Sequence, residues 1–230
     1  MGKYMDRRKF VSLAGLATGV MSLQGCNVDQ TLAPTNTDAP RRRARMTVGT
    51  QRAPTNDAML MYFRRHGVEH ICGYPNEDGW TGTRLRQLRE QCESHGIGLD
   101  MVQFPFMSSS HVDRSERKAI MLGQEPNRQE EIDQACEIIR QCAAAGIPAI
   151  KYNLSLLGVL RTSPTPGRGG TSYSTWRLKD ADPNIRTRAG QISSDEIWEH
   201  ITHFLEHVVP VAEEFKVRLA CHPHDPGVPP

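Results

Sequence analysis

The chain has 230 residues, with 28 basic side chains, 26 acidic side chains and six cysteines. Residues 1–45 hold eight of the basic residues and three of the acidic ones, so 20 basic and 23 acidic residues follow. The part of the chain after residue 45 therefore lacks the basic excess that drives binding to nucleic acid phosphates, and we expect no nucleic acid partner.

Residues 1–26 have the pattern of an export signal. A basic start precedes the uncharged stretch Phe10–Gly25, which is too short for the roughly 20 apolar residues of a spanning helix. Arg7 and Arg8, followed by Phe10, are typical of a twin-arginine signal, which exports folded proteins. Leu23-Gln24-Gly25-Cys26 resembles a lipoprotein cleavage box and predicts lipidation of Cys26, with ordinary cleavage as the alternative.

Residues 27–45 lack periodic apolar residues and are rich in Thr, Pro, Asp, Ala and then Arg, which predicts a flexible linker. The run Arg41–Arg45 is interpreted as a basic tether. The folded part is then residues 46–230. We expect an exported protein, either periplasmic or a membrane-anchored lipoprotein, that touches the membrane only through its lipid anchor.

A helix–glycine–strand module recurs after residue 46. Helical patterns end at Gly67, Gly96 and Gly146, a glycine position that suits the left-handed end of a helix, and Lys216 takes the glycine's place in a fourth copy. An apolar strand follows each of these four residues. The predicted strands are completed by an opening strand over Met46–Gly49.

The helices before these strands are predicted from spacing and capping residues. Asn56 or Asp57 begins the first, and Ser193 with Glu196 forms a capping box for the last, which Pro210 is expected to kink or interrupt. Two further helices are marked by apolar residues at helical spacing, namely Leu85, Leu88 and Cys92, and then Ile132, Ala135, Cys136, Ile139 and Cys142.

Strict alternation of strands and helices predicts an α/β fold with a parallel sheet, which is either doubly wound or a (β/α)₈ TIM barrel. No G-x-G-x-x-G follows the first strand, so dinucleotide binding has no support. A barrel has eight strands and about 250 residues. The sequence supplies about five βα units, which predicts an incomplete barrel.

Five cysteines lie within the predicted elements without C-x-x-C spacing, which argues against a disulfide framework. We interpret them mainly as small buried hydrophobic residues. They are Cys72, Cys92, Cys136, Cys142 and Cys221.

Working residues of a parallel α/β fold lie at the C-terminal ends of the strands. His222, His224 and Asp225 follow the fifth strand within four residues, and imidazole with carboxylate suits Mn²⁺, Fe²⁺ or Zn²⁺. A polar turn with incidental histidines is the alternative. Lys151 and Asn153 mark the end of the fourth strand.

The same residues carry a resemblance to the mannonate dehydratase family. His222-Pro223-His224-Asp225-Pro226 resembles its His-Pro-Asp-Asp-Pro turn, and Val208–Glu214 resembles its Pro-Val-Ala-Glu helix. Tyr152-Asn153 with Arg161-Thr162 and Leu122-Gly123 are also similar to family segments. His224 stands where the family commonly has Asp, and the family's Trp and Asp are missing before Arg161, so another sugar acid or sugar remains open as the substrate.

The resemblance implies a xylose-isomerase-like barrel that uses Mn²⁺ or Fe²⁺ to dehydrate D-mannonate to 2-keto-3-deoxygluconate. It implies His222 as a metal ligand, with Asn153, Arg161 and His111 as candidate substrate contacts. His224, Asp225 and Lys151 are further candidates. The general acid and base are not identified, the partner is a small sugar acid, and a homo-oligomer is compatible with this interpretation.

Two other functions stay open: a sugar isomerase or epimerase on the same barrel, and a non-catalytic sugar-binding lipoprotein. Residues 155–192 form a long connection that is either a mobile lid or a plain surface insertion. Because the family's other metal ligands belong to later strands, we expect the chain ending at Pro230 to be a truncation that is inactive and aggregation-prone alone.

Overall fold

Strands and helices alternate along the chain as the sequence predicts. The computed structural model describes residues 46–76, 79–107, 112–115 and 117–223. Its strands are β1 Gly49–Gln51, β2 His70–Gly73, β3 Gly98–Gln103, β4 Ala149–Tyr152, β5 Thr162–Pro166, β6 Ser172–Thr175 and β7 Arg218–Cys221. Its α-helices are α1 Asp57–Arg65, α2 Gly82–Ser94, α3 Ala119–Leu122, α4 Asn127–Ala144 and α5 Ser194–Phe215. Three short 3₁₀ turns cover Val112–Arg114, Arg168–Gly170 and Leu178–Asp180.

Five strands form one parallel sheet in the order β1-β2-β3-β4-β7. Each strand therefore lies beside the next parallel strand along the chain, and the order never reverses. A doubly wound sheet reverses its order at a switch point, whereas a barrel adds strands in one direction. The sheet is the partial (β/α)₈ barrel that the sequence predicts, with β5 and β6 forming a separate antiparallel hairpin.

The four helices that lead into a parallel strand end in the same way. A residue one or two positions after each helix has a positive φ: +74° at Gly67, +71° at Gly96, +73° at Gly146 and +59° at Lys216. The next residue then donates its N–H to the carbonyl five residues earlier, as in Val68 to Phe63 (3.1 Å) and Val217 to Ala212 (3.0 Å). Lys216 thus takes the glycine's place, as predicted.

Side-chain caps begin the helices at the predicted residues. The Asn56 side chain accepts from the Met59 N–H at 3.0 Å. Ser193 Oγ accepts from the Glu196 N–H at 3.2 Å, and Glu196 Oε2 accepts from the Ser193 N–H at 2.7 Å, which is the predicted capping box. No helix among the described residues is long and apolar enough to cross a membrane.

One face of the sheet packs against the helices. Tyr152 of β4 contacts Phe204 of α5, with ring centroids 5.6 Å apart, and Ile150 and Leu219 lie in the same apolar cluster. Side chains alternate between the two faces of a strand, so Lys151 lies on the opposite, inner face. The outer face therefore builds the core, and the inner face holds the polar residues.

Two expectations about single elements are wrong, and a third holds for most of its residues. The first strand covers Gly49–Gln51 and not Met46–Gly49, because Met46 and Val48 are exposed and pairing with β2 begins at Gly49. Pro210 does not interrupt α5, because it lies on the exposed side, where water can bond the carbonyl that its missing N–H leaves unpaired.

The third concerns the cysteines. Four of the five are buried, as predicted, whereas Cys221, the last residue of β7, is exposed. The connection between β4 and α5 contains the β5–β6 hairpin, which the sequence analysis did not predict. Its strands are largely exposed and are joined by polar contacts such as Thr165 Oγ1 to Thr175 Oγ1 at 2.8 Å.

Candidate active site

The C-terminal ends of the five parallel strands lie along one edge of the sheet. Gln51, Gly73, Gln103, Tyr152 and Cys221 are the last residues of these strands. Register pairs Gln51 with Cys72, Gln103 with Lys151, and Lys151 with Ala220, so these side chains share the inner face. This is the edge at which barrels carry their active sites.

Lys151 and Gln51 meet across the inner face. Lys151 Nζ donates to Gln51 Oε1 at 2.8 Å, although their strands, β4 and β1, are three positions apart in the sheet. In a flat sheet such strands lie about 14 Å apart, with side chains perpendicular to the sheet. The contact therefore shows that the sheet curves with its inner face concave. Lys151 is only 7% exposed, and this desolvation lowers the pKa of its ammonium group.

Two further inner-face residues border this contact. Burial raises the pKa of the Cys72 thiol to about 11, and the nearby Lys151 only partly offsets that effect. Burial also raises the pKa of Tyr74, Cys72 adds to this, and a hydrogen bond from Gln51 opposes it. Cys72 and Tyr74 therefore remain neutral near pH 7, and neither is an activated nucleophile.

Asn153 holds the ends of β3 and β4 together. Its side chain is buried, and its Nδ2 donates to the Met107 carbonyl at 3.1 Å. Its backbone N–H donates to the same carbonyl, also at 3.1 Å. The predicted substrate contact therefore anchors the segment after β3 at the candidate site, which is a positioning role.

Arg161 lies at the start of the hairpin, directly before β5. Its side chain is exposed, with Nε donating to Ser174 Oγ at 2.5 Å and Nη1 donating to the Leu160 carbonyl at 2.8 Å. These bonds tie the guanidinium to the hairpin. The predicted substrate contact is therefore held by the hairpin and by its own neighbouring carbonyl.

His222 continues the β4–β7 ladder just beyond β7. Its N–H donates to the Tyr152 carbonyl at 2.8 Å, and its ring Nδ1 lies 2.8 Å from the Pro223 carbonyl. An Nδ1–H donor bonded to a carbonyl leaves Nε2 with its lone pair, the arrangement common in metal-binding histidines. The exposed imidazole thus fits one ligand position of a divalent ion.

The rest of a metal site is not found in the described part of the chain. Among residues 46–76, 79–107, 112–115 and 117–223, no three His, Cys, Asp or Glu side chains lie close enough to hold an ion. His111, His224 and Asp225, and the lipidation candidate Cys26 with the signal and linker, lie outside the described residues. These predictions stay predictions.

Gln51 is the site residue that sequence reasoning missed. The first strand was predicted to end at Gly49, two residues before its observed end. Gln51 is the last residue of the observed strand. Candidate residues on the other strands were chosen because they follow strand ends, and the same rule would have selected Gln51 had the strand been predicted correctly. Lys151 was predicted at the end of the fourth strand, and the structure places it on the inner face. Together, the two residues form a buried polar contact at the edge where a ligand binds in this fold.

Comparison with protein families finds a match at the end of the chain. The family model described as D-mannonate dehydratase matches residues 175–230. This segment contains α5, β7 and the turn that begins at His222. The match therefore covers the residues that carry the strongest motif in the sequence.

Similar proteins extend the likeness over most of the chain. Mannonate dehydratase 2 of Halalkalibacterium halodurans is 27% identical over 176 residues, 64% of this chain and 47% of that protein. Mannonate dehydratase 1 of the same organism is 26% identical over 212 residues, 76% of this chain and 56% of that protein. The chain spans about half the length of the curated relatives it matches.

A solved structure shows the same fold. The mannonate dehydratase of Streptococcus suis serotype 2 aligns with a TM-score of 0.63 and 23% identity, covering 80% of this chain and 56% of that one. The likeness to mannonate dehydratases therefore extends from the sequence to the fold of the parallel sheet and its helices.

Proposed function

We propose that the chain belongs to the mannonate dehydratase family, and that the complete protein is a hydro-lyase that dehydrates a six-carbon sugar acid such as D-mannonate. The observation that carries this proposal is the family match over residues 175–230, which includes His222 at the C-terminal end of β7. A motif at this edge supports a role in chemistry, whereas the fold alone does not select a reaction.

The proposed reaction removes water from two neighbouring carbons. The proton leaves the carbon next to the carboxylate, and the hydroxyl leaves the following carbon. The enol that remains becomes a ketone, so D-mannonate gives 2-keto-3-deoxygluconate and one water molecule. The reaction needs a base for the first proton and an acid for the departing hydroxyl.

We propose a divalent metal, Mn²⁺ or Fe²⁺, as the cofactor, with His222 as one ligand. Such an ion supplies positive charge that stabilises the negative charge developing beside the carboxylate. The contact between His222 Nδ1 and the Pro223 carbonyl keeps Nε2 available for this purpose. Asn153 positions the strand ends beside it through Met107.

We also propose that the protein acts outside the cytoplasm. Arg7 and Arg8 before an uncharged stretch support twin-arginine export, and Cys26 supports a lipid anchor as the means of membrane contact. A Cys26→Ala variant would then lose membrane association in cell fractionation while still being exported. Retention of the variant in the membrane fraction would contradict the anchor.

The test of the function is an assay of the complete protein with D-mannonate, with Mn²⁺ or Fe²⁺ supplied, and with chelator as the comparison. We expect a 2-keto-3-deoxy sugar acid that forms only with metal. A His222→Ala variant should form this product at a rate at least about tenfold lower, the loss typical when a group that holds or orients a metal is removed. His207→Ala, which removes an exposed histidine of α5, is the matched control.

Three results would contradict the proposal. If mannonate and related hexonates give no keto product, the protein is not a dehydratase of this class. If a substrate C–H exchanges with solvent in heavy water but no water is lost, the protein is an isomerase or epimerase. Sugar binding without turnover would instead show a binding protein.

A further inference from the structure

Lys151 is a buried cation without a carboxylate partner in the described part of the chain. It is 7% exposed, and none of the ion pairs among residues 46–76, 79–107, 112–115 and 117–223 includes it. An ammonium group has three N–H donors, and the amide oxygen of Gln51 accepts from one of them. Burying a charge costs free energy unless it is paired, so this arrangement calls for a physical reason.

The neighbouring groups do not supply the missing negative charge. Cys72 has a pKa of about 11, so its thiol carries no charge near pH 7. Tyr74 has a pKa raised above its ordinary value and is also neutral. Gln103, the register partner of Lys151 on β3, has an uncharged side chain. The inner face around Lys151 therefore presents one cation and polar groups that can orient a ligand.

The position of Lys151 fits a ligand contact. The residue lies one position before the end of β4, on the concave inner face, and Asn153 of the candidate site follows on the same face. Ligands of barrel enzymes bind at this end of the strands. Gln51 fixes the direction of the ammonium group from the opposite side of the curved sheet.

We propose that Lys151 binds the carboxylate of the sugar acid and that Gln51 positions its ammonium group. This inference rests on the proposed function, because it names the residue that binds the carboxylate group of the proposed sugar-acid substrate. An anionic ligand supplies the charge that the described residues do not, and an ammonium–carboxylate hydrogen bond in a desolvated site is stronger than one between neutral groups. Gln51 is a positioning residue, since it acts through Lys151.

The test compares a sugar acid with its uncharged sugar by calorimetric titration of the complete protein. For Lys151→Met, we expect the dissociation constant of D-mannonate to rise about ten- to a hundredfold, the loss typical of one charged hydrogen bond. The dissociation constant of D-mannose should change little. Lys151→Arg should keep part of the preference for the acid, and Lys179→Met, which removes an exposed lysine of the hairpin region, should leave it unchanged.

A second variant keeps the test valid if Lys151→Met folds poorly. Gln51→Glu places a carboxylate beside the ammonium group, at the position of an oxygen that lies 2.8 Å away. The new ion pair should hold the fold at least as well as the original contact while competing with the substrate. We therefore expect unchanged or higher thermal stability together with about tenfold weaker mannonate binding.

The outcomes separate this inference from the proposed function. If mannonate binds in a Lys151-dependent way but no keto product forms, the carboxylate site stands and the dehydration proposal fails. If product forms and Lys151→Met binds mannonate as the unaltered protein does, the inference is overturned. Lys151-dependent binding of D-mannose 6-phosphate but not of mannonate would also overturn it, because it would assign a phosphate in place of the carboxylate.

Discussion

Two cations of this protein are equally buried but have different partners. Arg128 and Lys151 are each 7% exposed. Arg128, at the start of α4, donates to both carboxylate oxygens of Glu199, at 2.7 and 3.0 Å, and its Nε lies 3.3 Å from Glu125. Lys151 donates to the amide oxygen of Gln51. The positive charge of Arg128 is thus balanced by carboxylates of the helical layer. The positive charge of Lys151, which is equally buried, is not balanced by any described residue at the strand ends.

The difference indicates which cation serves the fold. The Arg128–Glu199 contact joins α4 to α5, and the bidentate geometry suits a structural link. The hydrogen bond from Arg128 lowers the pKa of Glu199. Lys151 has no such link among residues 46–76, 79–107, 112–115 and 117–223, which supports the proposed contact with a ligand. The charge of Arg128 is balanced between two helices, whereas that of Lys151 is left for the proposed substrate carboxylate.

The largest expected effect comes from removing each cation in turn. Arg128→Met should lower the free energy of unfolding by about 2 kcal/mol, because two hydrogen bonds to a carboxylate are lost. Lys151→Met should change it by less than about 1 kcal/mol or raise it, because a buried charge is removed and one amide bond is lost. Urea unfolding of both variants measures the difference.

Arg140→Met is the matched control, since Arg140 lies on the same helix but forms a more exposed contact with Glu137 at 3.4 Å. Its cost should stay below about 0.5 kcal/mol. A loss for Lys151→Met as large as that for Arg128→Met would break the comparison, because it would show that the ammonium group already has an anionic partner within the chain.

A smaller effect should appear in the pH dependence of stability. The pKa of Glu199 is lowered in the folded protein, mainly by the hydrogen bond from Arg128, so its contribution is present above the unfolded value near 4.5. This contribution is lost as the pH falls through the folded pKa. Because the Glu199 side chain is half exposed, the effect should be modest.

Unfolding midpoints measured from pH 6 down to pH 3 would show this loss of the stability that Glu199 contributes. The unaltered protein should lose more stability over this interval than Glu199→Gln, whose side chain does not titrate. Parallel curves for the two proteins would mean that the Arg128 link carries no charge-dependent stability, which would weaken the contrast with Lys151.

The fold was largely predictable because its signals are local. Glycine after a helix, capping residues such as Asn56 and Ser193, and apolar spacing each concern a few neighbouring residues. Even the exception at Lys216 followed from its place in the repeating module, and it adopts the same left-handed conformation as the glycines. The sequence left a doubly wound sheet open, and the strand order settled this in favour of the barrel.

The site was harder to predict because its contacts join distant parts of the chain. Lys151 and Gln51 are 100 residues apart, and they meet only because the sheet curves. Arg128 and Glu199 are 71 residues apart and meet through the packing of two helices. The β5–β6 hairpin is held by polar contacts such as Thr165 with Thr175, so it shows no apolar alternation that would mark its strands.

The most direct test of the account is thermal unfolding of the complete protein and of Lys151→Met, each with and without D-mannonate. A ligand that binds the folded state at a hundredfold excess over its dissociation constant adds about 2.7 kcal/mol of stability. We predict that mannonate raises the unfolding midpoint of the unaltered protein and raises that of Lys151→Met by about half as much or less, although both unfold at similar temperatures without it. An equal rise in both proteins would contradict the assignment of Lys151 to the substrate carboxylate.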